Sequence, residues 1–251
     1  MIKIKQSTVL PTETLRRLSV RPQDLEEMRR LPLFRGVAPE HVEAMLNASY
    51  LQRFPAHVEL VHEGDKADFL HVVVDGQVEV YSSWRDRETT VSVLGPGQSF
   101  IVAAVILDRI YLKSARALTP SRVLLVPADA VRDVFARDAT FARALAIEVA
   151  LGYRSVVKEL KNQKLRSSLE RLANWILAHD VATGASGRFT LPFDKKVLAA
   201  RLGMQPEVLS RSFAALAPYH VTVSGPTIAI GDRTALLTLA HPQPTIDDPN
   251  T

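Results

Sequence analysis

The stretch that leaves this chain least freedom runs from Asp194 to Leu216, DKKVLAARLGMQPEVLSRSFAAL. Ala199 is small enough for two helices to approach. Gly203, four residues on, supplies the positive φ of a tight turn, and Leu209 re-enters the shared core. Ala199, Gly203 and Leu209 are the framework of a helix-turn-helix. In the second helix Leu209, Phe213 and Leu216 recur at i, i+4, i+7 as a buried stripe, while Glu207, Ser210, Arg211 and Ala214 line the opposite face. Pro206 suits a first helical position, where its missing N–H would be unpaired anyway, and Gln205 before it is a fair cap.

The exposed face carries groups that can read base edges: Arg by a bidentate fork to guanine, Glu by accepting from cytosine, Ser with either. An ordinary helical hairpin shares the Ala/Gly/Leu spacing, and the segment downstream separates the two readings. Val221 to Ile230 alternates apolar and polar residues on both sides of Ser224-Gly225-Pro226, as a hairpin should. A helix-turn-helix followed at once by a hairpin is a winged helix. Gln205, Glu207, Ser210 and Arg211 are its expected DNA-binding residues, with double-stranded DNA as the partner.

At 251 residues, 47% hydrophobic and 23% charged, the chain has the make-up of two ordinary globular domains. The net charge is +4, and between residues 166 and 240 eight Lys/Arg face five Asp/Glu, so the excess lies in the half expected to meet a polyanion. There is no cysteine, which excludes disulfides, Cys-ligated zinc and an iron–sulfur cluster held by thiolates. The longest apolar run, Ile101 to Leu107, is too short to cross a bilayer, and no apolar region follows Lys3 and Lys5. The expectation is a cytoplasmic protein with no membrane partner.

In chain order, residues 1–20 lack any period and read as a loose arm. A short helix follows from Pro22, and a second opens at Pro39 with Val42, Met45 and Leu46 as its apolar face. From Leu51 to Val126 the period changes to two, with candidate strands His57–His62, Asp68–Val74, Gln77–Tyr81, Thr89–Leu94 and Ser121–Val126 and glycines at the joints. That pattern predicts an antiparallel barrel or jelly roll over residues 21–136. Ile101 to Asp108 breaks the rhythm, as a short buried helix or a strand buried on both faces.

After Pro127 the pattern is helical to about His179. Ala142, Leu145, Val149, Gly152 and Val156 fall on a heptad seam, and Ile147, Ala150, Tyr153, Val157 and Leu160 on a second stripe. Two apolar faces need two partners. Leu145, Val149, Gly152 and Val156 are the expected dimerisation residues of a helix over 137–164 that meets its copy in a homodimer; the alternative is a helix buried twice within one subunit. The winged helix-turn-helix then occupies 165–240 and a tail 241–251, for an α+β chain overall.

Leu31-Pro-Leu-Phe-Arg-Gly, Glu63-Gly64-Asp65, Val72 to Val80 (VVVDGQVEV), Arg171-Leu-Ala and Glu207-Val-Leu-Ser210-Arg211 resemble motifs of the cyclic-AMP receptor and fumarate–nitrate regulator (Crp/Fnr) family of bacterial transcription factors. The resemblance covers about residues 29–240 and is nearest to FtrB-like transcriptional activators. It implies a cyclic-nucleotide-binding-like barrel, a long dimerisation helix, RNA polymerase as a partner and activation from an inverted-repeat site. The Glu-x-x-Ser-Arg face matches the fumarate–nitrate branch, which implies TTGAT-like half-sites.

Family members that bind cyclic nucleotides hold the phosphate with a Gly-Glu pair and, about ten residues later, an Arg-Ser pair, because a buried phosphodiester needs N–H donors and a guanidinium. Here the Gly and Glu positions fall on Val102 and Ala103, and the Arg position on Tyr111 or Lys113; Arg116 matches a structural position further along the strand. The effector pocket expected at Val102, Ala103, Tyr111 and Lys113 is therefore apolar, suited to a hydrophobic effector, haem or no ligand, and not to cyclic AMP. The seven histidines are scattered. His57 and His62, five apart on one expected strand, face opposite sides and cannot share a metal, so no metal site or catalytic residue is expected. His71 is a conceivable haem ligand. The competing function is a haem- or small-ligand-sensing module whose winged helix mainly contacts protein.

Overall fold

The computed structural model describes residues 20–85 and 87–248; the expected N-terminal arm, apart from residue 20, lies outside them, as do residues 249–251 of the tail. The chain divides into two compact units, one ending at Val149 and including Val93–Val149, the other formed by Tyr81–Ser92 and the chain from Ala150 onward.

In the first unit, α1 (Pro22–Arg29) and α2 (Pro39–Ala48) each open on a proline, and α2 buries Val42, Met45 and Leu46. Eight strands follow: β1 (Tyr50–Phe54), β2 (Glu59–Val61), β3 (Phe69–Asp75), β4 (Val78–Trp84), β5 (Arg87–Leu94), β6 (Ser99–Phe100), β7 (Ser114–Ala117) and β8 (Ser121–Pro127). They form two four-stranded sheets, in the orders β1-β8-β3-β6 and β2-β7-β4-β5. This is the expected jelly roll.

Strand β3 pairs antiparallel with β8, Leu70 opposite Val126 and Val72 opposite Leu124. Five consecutive residues of β3, Leu70 to Val74, are buried, because both faces of the strand are covered. The β3–β4 turn requires Gly76: its φ is +84°, and a Cβ would collide with the Pro120 carbonyl and Ser121.

Several expectations need correction. The strand expected over His57–His62 is only Glu59–Val61. His57 sits in a turn at φ +66°, and His62 ion-pairs with Glu59 at 2.9 Å, so neither histidine belongs to the strand. Strands β1, β6 and β7 were not among the candidates. β1 is half-buried along most of its length, with no clean alternation, and β6 has two residues. Ile101 to Asp108 takes the helical option. Ile101 adopts a left-handed φ of +64°, and α3 (Val102–Ile106) follows with Val102 and Val105 buried.

The helical region after Pro127 is three helices, α4 (Ala128–Arg137), α5 (Ala139–Leu165) and α6 (Ser168–Ala182). Both interruptions are capped by side chains, which unbroken apolar periodicity conceals. Asp138 Oδ1 accepts from the Thr140 and Phe141 amides at 2.9 and 3.0 Å, while its Oδ2 accepts from the Ala38 amide and bonds His41 Nδ1. The His41 bond and these amides hold the Asp138 carboxyl far below its ordinary range. Ser167 and Glu170 form a capping box at the start of α6.

Phe141 and Leu145 on the first turns of α5 are wholly buried in the core of the first unit. Leu145 is therefore not a dimerisation residue. At about 1.5–3 kcal/mol for a fully buried leucine, it belongs to the cohesion of its own domain.

The second unit packs α6 against β9 (Arg188–Thr190), α7 (Lys195–Arg201), α8 (Pro206–Ala215), β10 (Val221–Ser224), β11 (Thr227–Ile230) and α9 (Arg233–Ala240), and a one-turn α10 (Pro244–Asp247) follows. Leu172, Ile176, Leu198, Leu209, Leu216, Ile228 and Leu236 form its core. The expected hairpin is present, closing with Ser224 opposite Thr227, and β9 adds a third strand. No helix among the described residues is long and apolar enough to cross a membrane.

His71, on β3, is 3% exposed, with its ring stacked on Phe100 at 5.0 Å and edge-on to Phe69 and Tyr111; its Nδ1 has no hydrogen-bond partner among the described residues. Burial lowers its pKa to about 4. The unfolded chain, with an ordinary histidine, takes up a proton below about pH 6.5 that the folded chain refuses until about pH 4. His71 therefore costs nothing above pH 6.5 and up to about 3 kcal/mol of stability as the pH falls through this window. We expect His71→Phe to flatten the fall in thermal midpoint between pH 7 and pH 5, measured by circular dichroism; an unchanged pH dependence would place the burden on another group.

Candidate nucleic-acid interface and sensor segment

The helix-turn-helix is assembled by the three residues that its spacing singles out. Ala199 and Leu209 are buried, and Gly203 takes φ +62°. The Met204 amide reaches back to the Ala199 carbonyl at 2.9 Å, closing the turn. Pro206 is the first residue of α8, and Gln205 occupies the N-cap position in an extended conformation without a side-chain bond to the helix. Leu209 and Phe213 point inward, whereas Gln205, Glu207, Ser210, Arg211 and Ala214 are exposed.

The face expected to read bases is thus free of the domain's core. The Arg211 Nε makes a long 3.4 Å bond to the Glu207 carbonyl, which leaves the rest of the guanidinium available. A shallow hollow beside α8 brings Ser210 together with Lys195, Phe213 and Val221–Val223 of the hairpin. The Lys195 ammonium lies 5.5 Å from the Phe213 ring centroid. Lys195 and Lys196, exposed at the start of α7, suit phosphate contacts and were not singled out in the sequence; two adjacent lysines after an N-cap aspartate are the signal that was available.

The turn is fastened to the start of α6 by Arg171. This side chain is buried, with Nε donating to the Leu202 carbonyl at 2.9 Å and Nη1 to the Arg166 carbonyl at 2.8 Å. Gln163, near the end of α5, also lies against the turn, where a Cβ on Gly203 would drive into its carboxamide. Arg171-Leu-Ala, visible in the sequence only as part of a motif, is the strap between α6 and the reading head.

The four residues expected to line an effector pocket are not equivalent. Val102 is buried and Ala103 exposed. Tyr111 is buried with its hydroxyl donating to the Phe69 carbonyl at 3.1 Å, so it braces β3. Burial pushes the Tyr111 hydroxyl up to about 12. Lys113 is half-buried, and burial pushes its ammonium down.

Ser114, next in line, accepts from the Glu63 amide at 2.9 Å. Arg116 pairs with the fully buried Glu79 at 2.7 Å, in keeping with a structural position. The Ser99 hydroxyl donates to Glu148 of α5, and burial raises that carboxyl. Among the described residues no three His, Cys, Asp or Glu side chains cluster to hold a metal.

With Leu145 withdrawn into the core, α5 exposes Ile147, Val149, Leu151, Tyr153, Val156, Val157 and Leu160, Tyr153 at 71%. Ala142, Ala146, Val149, Tyr153, Val156 and Leu160 recur alternately four and three apart, which is an a/d heptad seam. Gly152 has open space around its Cα.

Two family models match the chain: the cyclic nucleotide-binding domain over residues 51–138 and the Crp-like helix-turn-helix domain over residues 170–239. A cyclic AMP receptor protein from Thermus thermophilus is 29% identical over 213 residues, spanning 84% of this chain and 96% of that protein. A solved structure from Silicibacter pomeroyi, assigned as a cAMP-binding regulator, is 29% identical with a TM-score of 0.54, covering 88% of this chain and all of that one. A protein assigned to the Crp/Fnr family from Eubacterium rectale, 18% identical over 84% of this chain and 98% of its own, shares the fold at a TM-score of 0.70. With a jelly roll that matches the one domain and an exposed reading helix inside the other, in this order along a single chain, the protein belongs to the Crp/Fnr family of DNA-binding transcriptional regulators.

Proposed function

We propose that the protein is a cytoplasmic, homodimeric transcriptional activator that reads an inverted-repeat site with Gln205, Glu207, Ser210 and Arg211 and works with RNA polymerase. The observation that carries this reading is the exposed Glu207/Ser210/Arg211 face of α8, flanked by Lys195 and the β10–β11 hairpin. Its carboxylate, hydroxyl and guanidinium are free to meet base edges, and the lysine is placed to meet phosphate. The dimer rests on the exposed Val149, Tyr153, Val156 and Leu160 of α5. Apolar side chains at heptad spacing gain by meeting their copies across a two-fold axis.

The barrel differs from what a cyclic phosphodiester requires. The expected Gly-Glu pair is a buried valine and an alanine, the Tyr111 hydroxyl is committed to Phe69, and the other candidate for the expected arginine position is Lys113. A lysine offers no bidentate fork. His71 is sealed among the Phe69, Phe100 and Tyr111 rings, a packing that does not suit an axial ligand to a haem. The sensor takes an apolar effector or serves as a scaffold for the dimer.

Arg211→Ala is expected to cost about 1–3 kcal/mol on an inverted repeat of TTGAT half-sites and little on random DNA. An equal loss on both in a binding titration would mean that Arg211 touches only phosphate. Val149→Glu places like charges across the proposed seam, so dimer and DNA binding should fall together; sedimentation showing an intact dimer would remove the seam. Titration calorimetry with cyclic AMP and cyclic GMP should give no micromolar binding. Binding that Lys113→Ala abolishes would restore the family's usual ligand.

A further inference from the structure

The segment that follows α9 lies beyond the matched helix-turn-helix domain, yet it is bonded to the end of α5. Asp247 meets Arg166 fork to fork, Nη1 to Oδ1 at 2.7 Å and Nη2 to Oδ2 at 2.5 Å. The Arg166 side chain is 6% exposed and that of Asp247 23%. Arg166 Nη1 also donates to Asn162 at 3.2 Å, and the Gln243 amide closes the one-turn helix onto Asp247 at 2.6 Å. Lys161 donates to the Thr245 hydroxyl at 2.7 Å, and Lys158 to the Asp248 carbonyl at 2.5 Å. At the start of the segment, Asn174 of α6 holds the Ala240 carbonyl at 2.6 Å. Two cations on the last turns of α5, Lys158 and Lys161, and Arg166 just past its end thus seat on one short stretch of chain.

Arg166 is the residue between α5 and the capping box of α6, where the helical bonding is interrupted. Its side chain is taken by Asp247, and its carbonyl by Arg171, whose Nε holds the Leu202 carbonyl in the turn of the helix-turn-helix. The polar chain runs Asp247, Arg166, Arg171, Leu202. We propose that residues 243–248 form a clasp on the α5–α6 hinge and that Asp247 is a positioning residue for DNA recognition, touching no base itself.

An unclasped hinge lets each reading helix sample many orientations. A site with two half-sites engages only the fraction of states in which both helices are presented together, so affinity for that site is lowered by the fraction. A single half-site needs one reading helix, and the fold of that helix rests on the Leu198/Leu209/Leu216 core. The clasp should therefore matter for the paired site and not for the half-site. This inference rests on the homodimer reading.

The test compares duplexes carrying an inverted repeat of TTGAT half-sites with duplexes carrying one half-site. Two full-length variants are used: Asp247→Asn, which removes the carboxylate fork, and Lys161→Met with Thr245→Val, which removes the second anchor of the segment without stranding a charge. Each should lower paired-site affinity about five- to tenfold while half-site affinity stays within about twofold. Sedimentation should still show a dimer, and amide exchange at residues 162–168 should quicken.

If both affinities fall together, the segment supports only the fold and the clasp is refuted. If neither changes, or if paired-site binding tightens, the segment does not position the reading helices. If the unaltered protein shows no preference for the paired site and sediments as a monomer, the homodimer reading fails first and the clasp with it.

Discussion

A buried guanidinium must find acceptors, because leaving it unpaired costs far more than the bonds return. Arg171 is in that position, and burial lowers its tendency to hold its proton without discharging it. It takes the Leu202 and Arg166 carbonyls, one from the helix-turn-helix turn and one from the junction before α6. Both carbonyls lie at helix ends, where the backbone lacks an intrahelical partner. One side chain thereby satisfies two exposed ends and makes the direction of the reading helix depend on the junction. Gln163 against Gly203 and Asp247 on Arg166 extend the same dependence to α5 and to the segment after α9.

The sensor half is framed by polar contacts between its strands and loops. The buried Glu79 pairs with the half-buried Arg116, and Ser114 ties the Glu63 amide to β7. These contacts hold the strands, so their chemistry is independent of ligand. The segment between β6 and β7 is largely apolar: Val102 and Val105 are buried, and Leu107, Ile110 and Leu112 are exposed. The Ser99 hydroxyl, donating to Glu148, joins this region to α5.

Helix α5 carries more apolar surface than its own domain can cover. Its first turns spend Phe141 and Leu145 on the core, and from Val149 onward the heptad positions are exposed. The two possible seams share Ala142, Val149 and Val156 and differ by a rotation of one residue, Leu145 and Gly152 against Ala146 and Tyr153. Periodicity is symmetric between them. What distinguishes them is which side of the helix faces the barrel, and the burial of Leu145 takes that side chain out of the first pattern.

From the amino-acid pattern alone came the order of domains, the jelly roll, the helix-turn-helix framework of Ala199, Gly203 and Leu209, the hairpin after it, and the exposed face of Glu207, Ser210 and Arg211. These features are set by interactions a few residues apart: alternation, helical period, and the demand of a tight turn for glycine. The tertiary structure decided what distant residues do to one another. It placed Leu145 inside the core, tied the Tyr111 hydroxyl to Phe69, seated Asp138 on the Ala38 amide and His41, and bonded Asp247 to Arg166 across 81 positions. Each of these outcomes is a choice of partner for a side chain that several partners would satisfy, and such a choice is made only when the chain has closed around it.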